Sequence, residues 1–356
     1  MSSTTVYPNE DEERLPHESE AAEEVAERGF SLKERLLNIR TLISLALSIA
    51  IILFVFRGLD INVAETWQQM RQVNPLLYVL AFTAFYVTFP IRALRWRVLL
   101  RNANFPIEQG RRSWASIPAL SEYIGLSWFA NCVVPAKLGD AYRGYLLKRN
   151  GNVSFSASVG TIFAERLLDM IVLFTLLVIS GWSVFGTRLP ESAQYAFGFG
   201  LLLVIVIIVG LAAMRFLSPF IRRIVPNRLE PIYSSFEAGT LGSLRARSLP
   251  LLFLLTSAVW LCESLRLFLV IEAVGGLGLS LPAVIFVALM SSLLTTIPAT
   301  PGGLGVVESA IIVVLRSSIF GISASVASAV ALLDRVINYW SIVIFGFILY
   351  LVSKRK

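Results

Sequence analysis

The sequence predicts an all-α polytopic membrane protein: about six spanning helices plus two oppositely oriented re-entrant hairpins, arranged as an inverted repeat. Three observations lead there. Of 356 residues, 56% are hydrophobic and only 15% charged, where soluble domains carry about 25% charged residues. The apolar residues gather into runs near the length of about 20 residues that a helix needs to cross a bilayer. Two of these runs are broken around a shared P-x-x-L-G pattern, at Pro135, Leu138 and Gly139 and again at Pro301, Leu304 and Gly305.

Residues 1–38 read as an acidic cytoplasmic tail and juxtamembrane segment. The first thirty hold nine acids against Arg14 and Arg28, and so polar a segment buries too little apolar surface to offset the entropy of ordering. No signal peptide is expected, because the first thirty residues offer neither a basic start nor an apolar stretch, and the first apolar run, 39–56, has no convincing cleavage site. It opens a membrane domain over 39–353, and 354–356 form a basic cytoplasmic end.

The second span is placed at 75–94. At its end and beyond come Arg92, Arg95, Arg97, Arg101, Arg111 and Arg112, while the loop before it balances Arg57 and Arg71 with Asp60 and Glu65. Short cytoplasmic loops are enriched in Lys and Arg, so the N-terminus and the basic segment face the cytoplasm. The next apolar stretch, 114–134, runs into VVPAKLGDAYRGYLLKRN, and a full crossing would leave Lys137, Arg143, Lys148 and Arg149 outside. A hairpin that breaks near residues 135–139 and returns avoids this.

Spans follow at 156–182, 193–216 and 251–273, with a basic loop over 217–250 holding Arg222, Arg223, Arg228, Arg245 and Arg247 against Glu230 and Glu237. A second broken element centres on IPATPGGLG, and the last span, 325–352, leads into Lys354, Arg355 and Lys356. A cytoplasmic C-terminus then requires the second hairpin to open outward. Inverted repeats with broken helices place their binding sites near the bilayer midplane.

Composition also excludes chemistries. His17, the single histidine, lies in the acidic tail, and Cys132 and Cys262, the two cysteines, lie in apolar runs. His-based triads, His-ligated metals and a disulfide framework are therefore not expected. Neither a cofactor nor a nucleotide-binding P-loop is read. Beyond residue 30 the chain has 29 basic and 15 acidic side chains, an excess that topology explains without a nucleic-acid partner.

Charges inside the membrane are costly and tend to face a bundle interior. The candidates for substrate binding are Asn131, Asp140, Arg143, Glu165, Arg166, Asp169, Glu263, Arg266, Glu308, Asp334 and Arg335. The hairpin breaks are Pro135, Gly139, Pro298, Pro301, Gly302, Gly303 and Gly305, where proline removes a helical hydrogen bond and glycine permits unusual dihedrals. The spacing of Arg166 with Asp169, and of Glu263 with Arg266, also allows purely structural pairing along one helix face. Every basic group in this set is arginine, whose planar fork suits phosphate. Arg143, Arg166 and Arg335 are expected to approach one another, and the second break to expose amides and a helix N-terminus near Gly305 to an anion.

Three stretches, FANCVVPAKLGDAYRGYLL, AERLLDMIVLF and IPATPGGLGVVESAIIVVL, resemble the signatures of the lysylphosphatidylglycerol synthase transmembrane region, also called the flippase-like family. The N-x-x-x-P-x-x-x-G-D-x-x-R pattern falls on Asn131, Pro135, Gly139, Asp140 and Arg143. E-R-x-x-D falls on Glu165, Arg166 and Asp169, and P-G-G-x-G-x-x-E on Pro301, Gly302, Gly303, Gly305 and Glu308. The resemblance implies movement of an aminoacylated phospholipid or a lipid-linked sugar between leaflets. Full synthases add a soluble aminoacyl-transfer domain and this sequence stops at Lys356, so a translocase rather than an enzyme is expected. A lipid-synthesis enzyme or glycosyltransferase is the candidate protein partner. A non-transporting membrane subunit and, less favoured, a membrane transferase are the alternatives.

Overall fold

The computed structural model describes residues 61–107, 113–133, 138–186, 191–227, 229–294, 301–317 and 319–355, with Arg57 and Gly110. The tail, nearly all of the first span, Lys356, and the break prolines Pro135 and Pro298 lie outside the described residues. The described chain is helical: α1 (Val63–Arg71), α2 (Pro75–Asn102), α3 (Ile117–Val133), α4 (Gly139–Gly151), α5 (Phe155–Phe185), α6 (Glu191–Phe216), α7 (Ser218–Ile224), α8 (Glu230–Ser243), α9 (Leu249–Val274), α10 (Leu281–Leu294), α11 (Val306–Arg316) and α12 (Ala324–Val352). Inside α12, Val336–Trp340 form a π turn. Among the described residues five helices are long and apolar enough to cross a bilayer, which makes the chain a polytopic membrane protein.

Helix ends follow local sequence. Asn62 and Asn74 cap α1 and α2 with their side-chain oxygens, and Pro75 sits at the first position of α2, where a missing N–H costs nothing. Ser154 and Ser323 cap α5 and α12. Asn152, left-handed at φ 49°, stops α4. The expected end of the second span at 94 is corrected: α2 runs on to Asn102, because Trp96, Val98, Leu99 and Leu100 are buried and continue its apolar face.

The helix order repeats. α1 to α5 correspond to α8 to α12 as a short helix, a long helix, a two-helix broken element and a second long helix. Packing follows the same scheme: α2 lies along α9, α3 on α4, α4 on α5, α10 on α11, and α11 on α12. Contacts across the units are reciprocal too, with α8 on α5 and α1 on α12, and α10 on α5 and the end of α12 on α3.

The two units run in opposite directions. The Asn74 amide donates to the Ala273 carbonyl at 2.9 Å near one end of α2, while Asn102 meets Ser248 at 3.0 Å at the other, so α2 and α9 are antiparallel. Tyr78 reaches the Leu333 carbonyl at 3.0 Å and Tyr86 reaches Ser341 at 2.7 Å, which sets α12 parallel to α2. α5 instead starts at the Asn102 end: the α8 residue Thr240 donates to the Gly160 carbonyl at 3.2 Å, one turn before Ser243, whose carbonyl accepts from Asn102. The α3–α4 element has both open ends beside the end of α12, where Glu122 accepts from Ser353 and Asn150 donates to the Arg355 carbonyl. The α10–α11 element has its open ends at the Pro75 end, joined to α9 and to the start of α12.

Apolar burial gains little in lipid, so packing and close approach hold such helices together. α5 and α8 approach at Gly160 and Gly239, where a methyl group would run into the carbonyls of Phe236 and Ala157 respectively. Gly198 on α6 faces open space, and α6 leaves Leu201, Leu202, Ile205, Val206, Ile208 and Val209 exposed, as a lipid-facing helix does. Replacing helical glycine by alanine gains up to about 1 kcal/mol of propensity, whereas overpacking costs about 1–3 kcal/mol. Gly160→Ala is therefore expected to lower the melting temperature in detergent and Gly198→Ala to leave it unchanged or raise it, as read by thermal unfolding.

Candidate functional site: a buried arginine–carboxylate network

Charged side chains form continuous paired groups along the inner faces of α2, α4, α5, α9, α11 and α12. In the first unit Arg95, fully buried on α2, holds Asp169 at 2.6 Å, Glu165 at 2.8 Å and the α9 hydroxyl of Thr256 at 3.0 Å. Arg143 on α4 reaches the other oxygen of Glu165 at 2.5 Å and lies 4.1 Å from the centre of the Trp96 ring, a cation–π contact. Arg166 forks onto Asp140, with Nε–Oδ2 at 2.9 Å and Nη2–Oδ1 at 2.7 Å, and stands 3.6 Å from Asp169.

The second unit is built alike with other partners. Arg335 on α12 stands 3.0 Å from Glu308 on α11, and donates to the carbonyls of Gly302 at 3.2 Å and Gly303 at 2.9 Å. Arg266 on α9 lies 3.2 Å from Glu263 and 3.0 Å from Asp334, the latter a charge contact too bent to be a hydrogen bond. Asn338 donates to Asp334 at 2.7 Å. Arg92 on α2 crosses to Glu263 at 3.1 Å, 4.9 Å from the centre of the Trp128 ring, and ties the units together.

Six arginines and six carboxylates are thus matched. Each of these six carboxylates meets at least one guanidinium, and among the described residues no three His, Cys, Asp or Glu side chains gather as a metal site. Exposure is uneven. The side chains of Arg166 and Asp140 are 36% and 27% exposed, while every other member of the network is at most 10% exposed. The network has one open pair, between Asp140 on the first turn of α4, directly after the first break, and Arg166 on α5.

At each break the first described glycine amide of the following helix is bonded to a nearby side chain. The Gly139 amide donates to the Asn131 side chain at 2.8 Å, and a Cβ at Gly139 would overlap the Ser127 carbonyl, so glycine is required there. At the second break the Gly305 amide, at φ 82°, donates to Glu308 at 2.8 Å. The N-terminus of α11, expected to be open to an anion, is occupied by that carboxylate of its own first turn.

The structure brings Asp140, Arg143, Glu165, Arg166 and Asp169 together and places Glu263, Arg266 and Asp334 in an adjoining group. Arg335 pairs with Glu308 and is linked through Asn338 to Asp334, but it shares no carboxylate with Arg143 or Arg166, because the glycine carbonyls of the second break hold it. Sequence reasoning missed Arg92, Arg95, Trp96 and Trp128. Arg92 and Arg95 had been grouped with loop charges. Their three-residue spacing puts both on one helix face, apart from the exposed Arg101, and that spacing was the available signal.

Comparison with known proteins agrees with this architecture. A UPF0104 membrane protein of Methanocaldococcus jannaschii is 39% identical over 228 residues, covering 64% of this chain and 95% of that protein. A UPF0104 membrane protein of Pyrococcus horikoshii is 23% identical over 346 residues, covering 88% and 97%. The glycosyltransferase AglD of Haloferax volcanii is 24% identical over 346 residues, covering 84% of this chain but only 52% of AglD. Residues 41–346 match the family described as the lysylphosphatidylglycerol synthase TM region, and the chain belongs to that family.

Proposed function

We propose that the protein is a lipid translocase, not an enzyme, that moves a phosphate-bearing lipid between leaflets with its head group at the Arg166–Asp140 pair and its tails in the bilayer. The observation that carries this reading is the single open ion pair in an otherwise closed network. Asp140 accepts both arms of the Arg166 fork, as two oxygens of a phosphate would. A half-exposed pair exchanges at small cost, since exposed ion pairs are worth about 0–1 kcal/mol, whereas breaking a buried pair costs about 3–5 kcal/mol. An arriving phosphate takes the guanidinium, and Asp140, at the start of α4, is released beside the first break.

The same reading treats the two broken elements as re-entrant hairpins that open to opposite sides, and supports it by their open ends lying at opposite ends of α2. The end holding Asn102 carries exposed Arg101, Arg149, Arg245, Arg247 and Lys354, while Glu65, Arg71, Glu272 and Arg316 at the Pro75 end balance. By the positive-inside rule the Asn102 end and the C-terminus face the cytoplasm, and a first span over 39–56 puts the N-terminus there too. The named relative AglD supports a lipid-linked sugar as the cargo class, with an aminoacyl-phospholipid as the other. It also favours a second reading, a non-transporting membrane subunit of a glycan pathway that partners a glycosyltransferase.

Transport assays in proteoliposomes separate the two. Arg166→Lys keeps the charge and loses the fork, so translocation is expected to fall roughly tenfold or more, the weight of a charge-assisted hydrogen bond, while thermal stability stays near wild type. Arg95→Ala leaves Glu165 to Arg143 alone and Asp169 to the 3.6 Å contact with Arg166, and is expected to lose about 3–5 kcal/mol of stability. Wild-type protein with no translocation above empty liposomes favours the subunit reading, and a stable Arg166→Lys variant with normal translocation counts against head-group binding at this pair. Topology is tested by thiol labelling in intact cells, in a background lacking Cys132 and Cys262: Ala64→Cys is expected to react with an impermeant reagent, and Ala246→Cys only after the membrane is opened.

A further inference from the structure

The two breaks meet at one residue. α3 is described as far as Val133. In its last turn the Cys132 carbonyl accepts from the Tyr339 hydroxyl at 2.9 Å, across 207 residues of sequence. The Tyr339 ring also lies against the second break. Gly302 there has φ +57°, and a Cβ on it would sit 2.6 Å from Cε2 and 2.7 Å from Cδ2 of Tyr339, and 3.7 Å from the Cα of Cys132. Arg335, one turn earlier on α12, grips the Gly302 and Gly303 carbonyls.

Tyr339 owes this position to the π turn. A π turn adds a residue to a helical turn and often sits at functional sites, because it offsets the helix register and frees backbone carbonyls. Two carbonyls at and beside the π turn accept from side chains: Tyr78 donates to Leu333, and Ser341, bonded in turn to Tyr86, donates to Ile337. Asn338, within the π turn, accepts from Arg335 at 3.3 Å and donates to Asp334. No proline or glycine occurs in the π turn itself, VINYW. If the turn tightened to regular α geometry, the side chains beyond it would rotate by about 100°, taking Tyr339 away from Cys132.

We propose that Tyr339 is a positioning residue that couples the two broken elements, so that displacement of the Gly302–Gly303 segment releases the Cys132 end of α3. The link is one hydrogen bond at one break and one ring contact at the other, held in register by the π turn and by Arg335. It joins the break of one unit to the break of the opposed unit, which allows them to move together. Its basis is independent of the cargo proposed above.

The natural thiol of Cys132, which is buried and free, reports the coupling without any transport assay. In full-length Cys262→Ser protein in detergent, the reaction rate of Cys132 with N-ethylmaleimide measures opening of the α3 end. Gly302→Ala, on the opposite break, is expected to raise that rate roughly tenfold, about the weight of one hydrogen bond, and Tyr339→Phe to raise it as much. The combined variant is expected to react no faster than Tyr339→Phe alone, since the link is already cut. If Gly302→Ala does not yield folded protein, Arg335→Lys releases the same carbonyls and takes its place in the cycle. An unchanged Cys132 rate in folded Gly302→Ala or Arg335→Lys protein, or effects that multiply in the combined variant, overturns the proposal.

Discussion

Arg95 has no exposed surface, and it holds Glu165 and Asp169 on α5 while touching Thr256 on α9. The rest of the architecture depends on this pairing and its relatives. A charged side chain at bilayer depth costs about 2.5–3.5 kcal/mol on insertion scales, against a net stability of about 5–15 kcal/mol for a folded protein. Several unmatched charges would consume that margin. The six arginines can be kept only because six carboxylates on neighbouring helices meet them, and this fixes which helices are neighbours. α2 and α9 become the central pair, each lending arginine to a long helix of its own unit, and Arg92 to Glu263 closes the gap between units.

Opposed direction of the two units follows the same constraint through different residues. The helix after the first break carries Arg143 against Glu165 on the following helix, and the helix after the second carries Glu308 against Arg335. Position is repeated while sign is exchanged. Each broken element is therefore tied to its own following helix by charge, and one glycine amide beside each break is bonded locally, Gly139 to Asn131 and Gly305 to Glu308. What is left open is the Asp140–Arg166 pair, and the proposed transport reading rests on that asymmetry.

Much of the fold was legible because it is written in composition and spacing. Apolar run lengths located α5, α6, α9 and α12 within a few residues, and the repeated P-x-x-L-G pattern pointed to the two broken elements. Arg92 and Arg95 were misplaced because counting Lys and Arg near the end of a span ignores which face of the helix they occupy. The correspondence of α1 with α8 was not legible, since two short helices of unlike sequence share only their place in the packing. Neither was the separation of Arg335 from Arg166, which depends on glycine carbonyls that exist as acceptors only once the second break has formed. The Tyr339 to Cys132 bond was invisible for the same reason: no local pattern marks VINYW as a π turn.

The central claim, that the open Arg166–Asp140 pair is where a phosphate-bearing head group binds, is tested most directly by native mass spectrometry of the protein released from membranes. The account predicts a bound lipid whose fragmentation yields phosphate, retained by the wild type and lost from Arg166→Ala. Retention of the same lipid by folded Arg166→Ala protein, or recovery of bound lipids without a phosphate group, would contradict it.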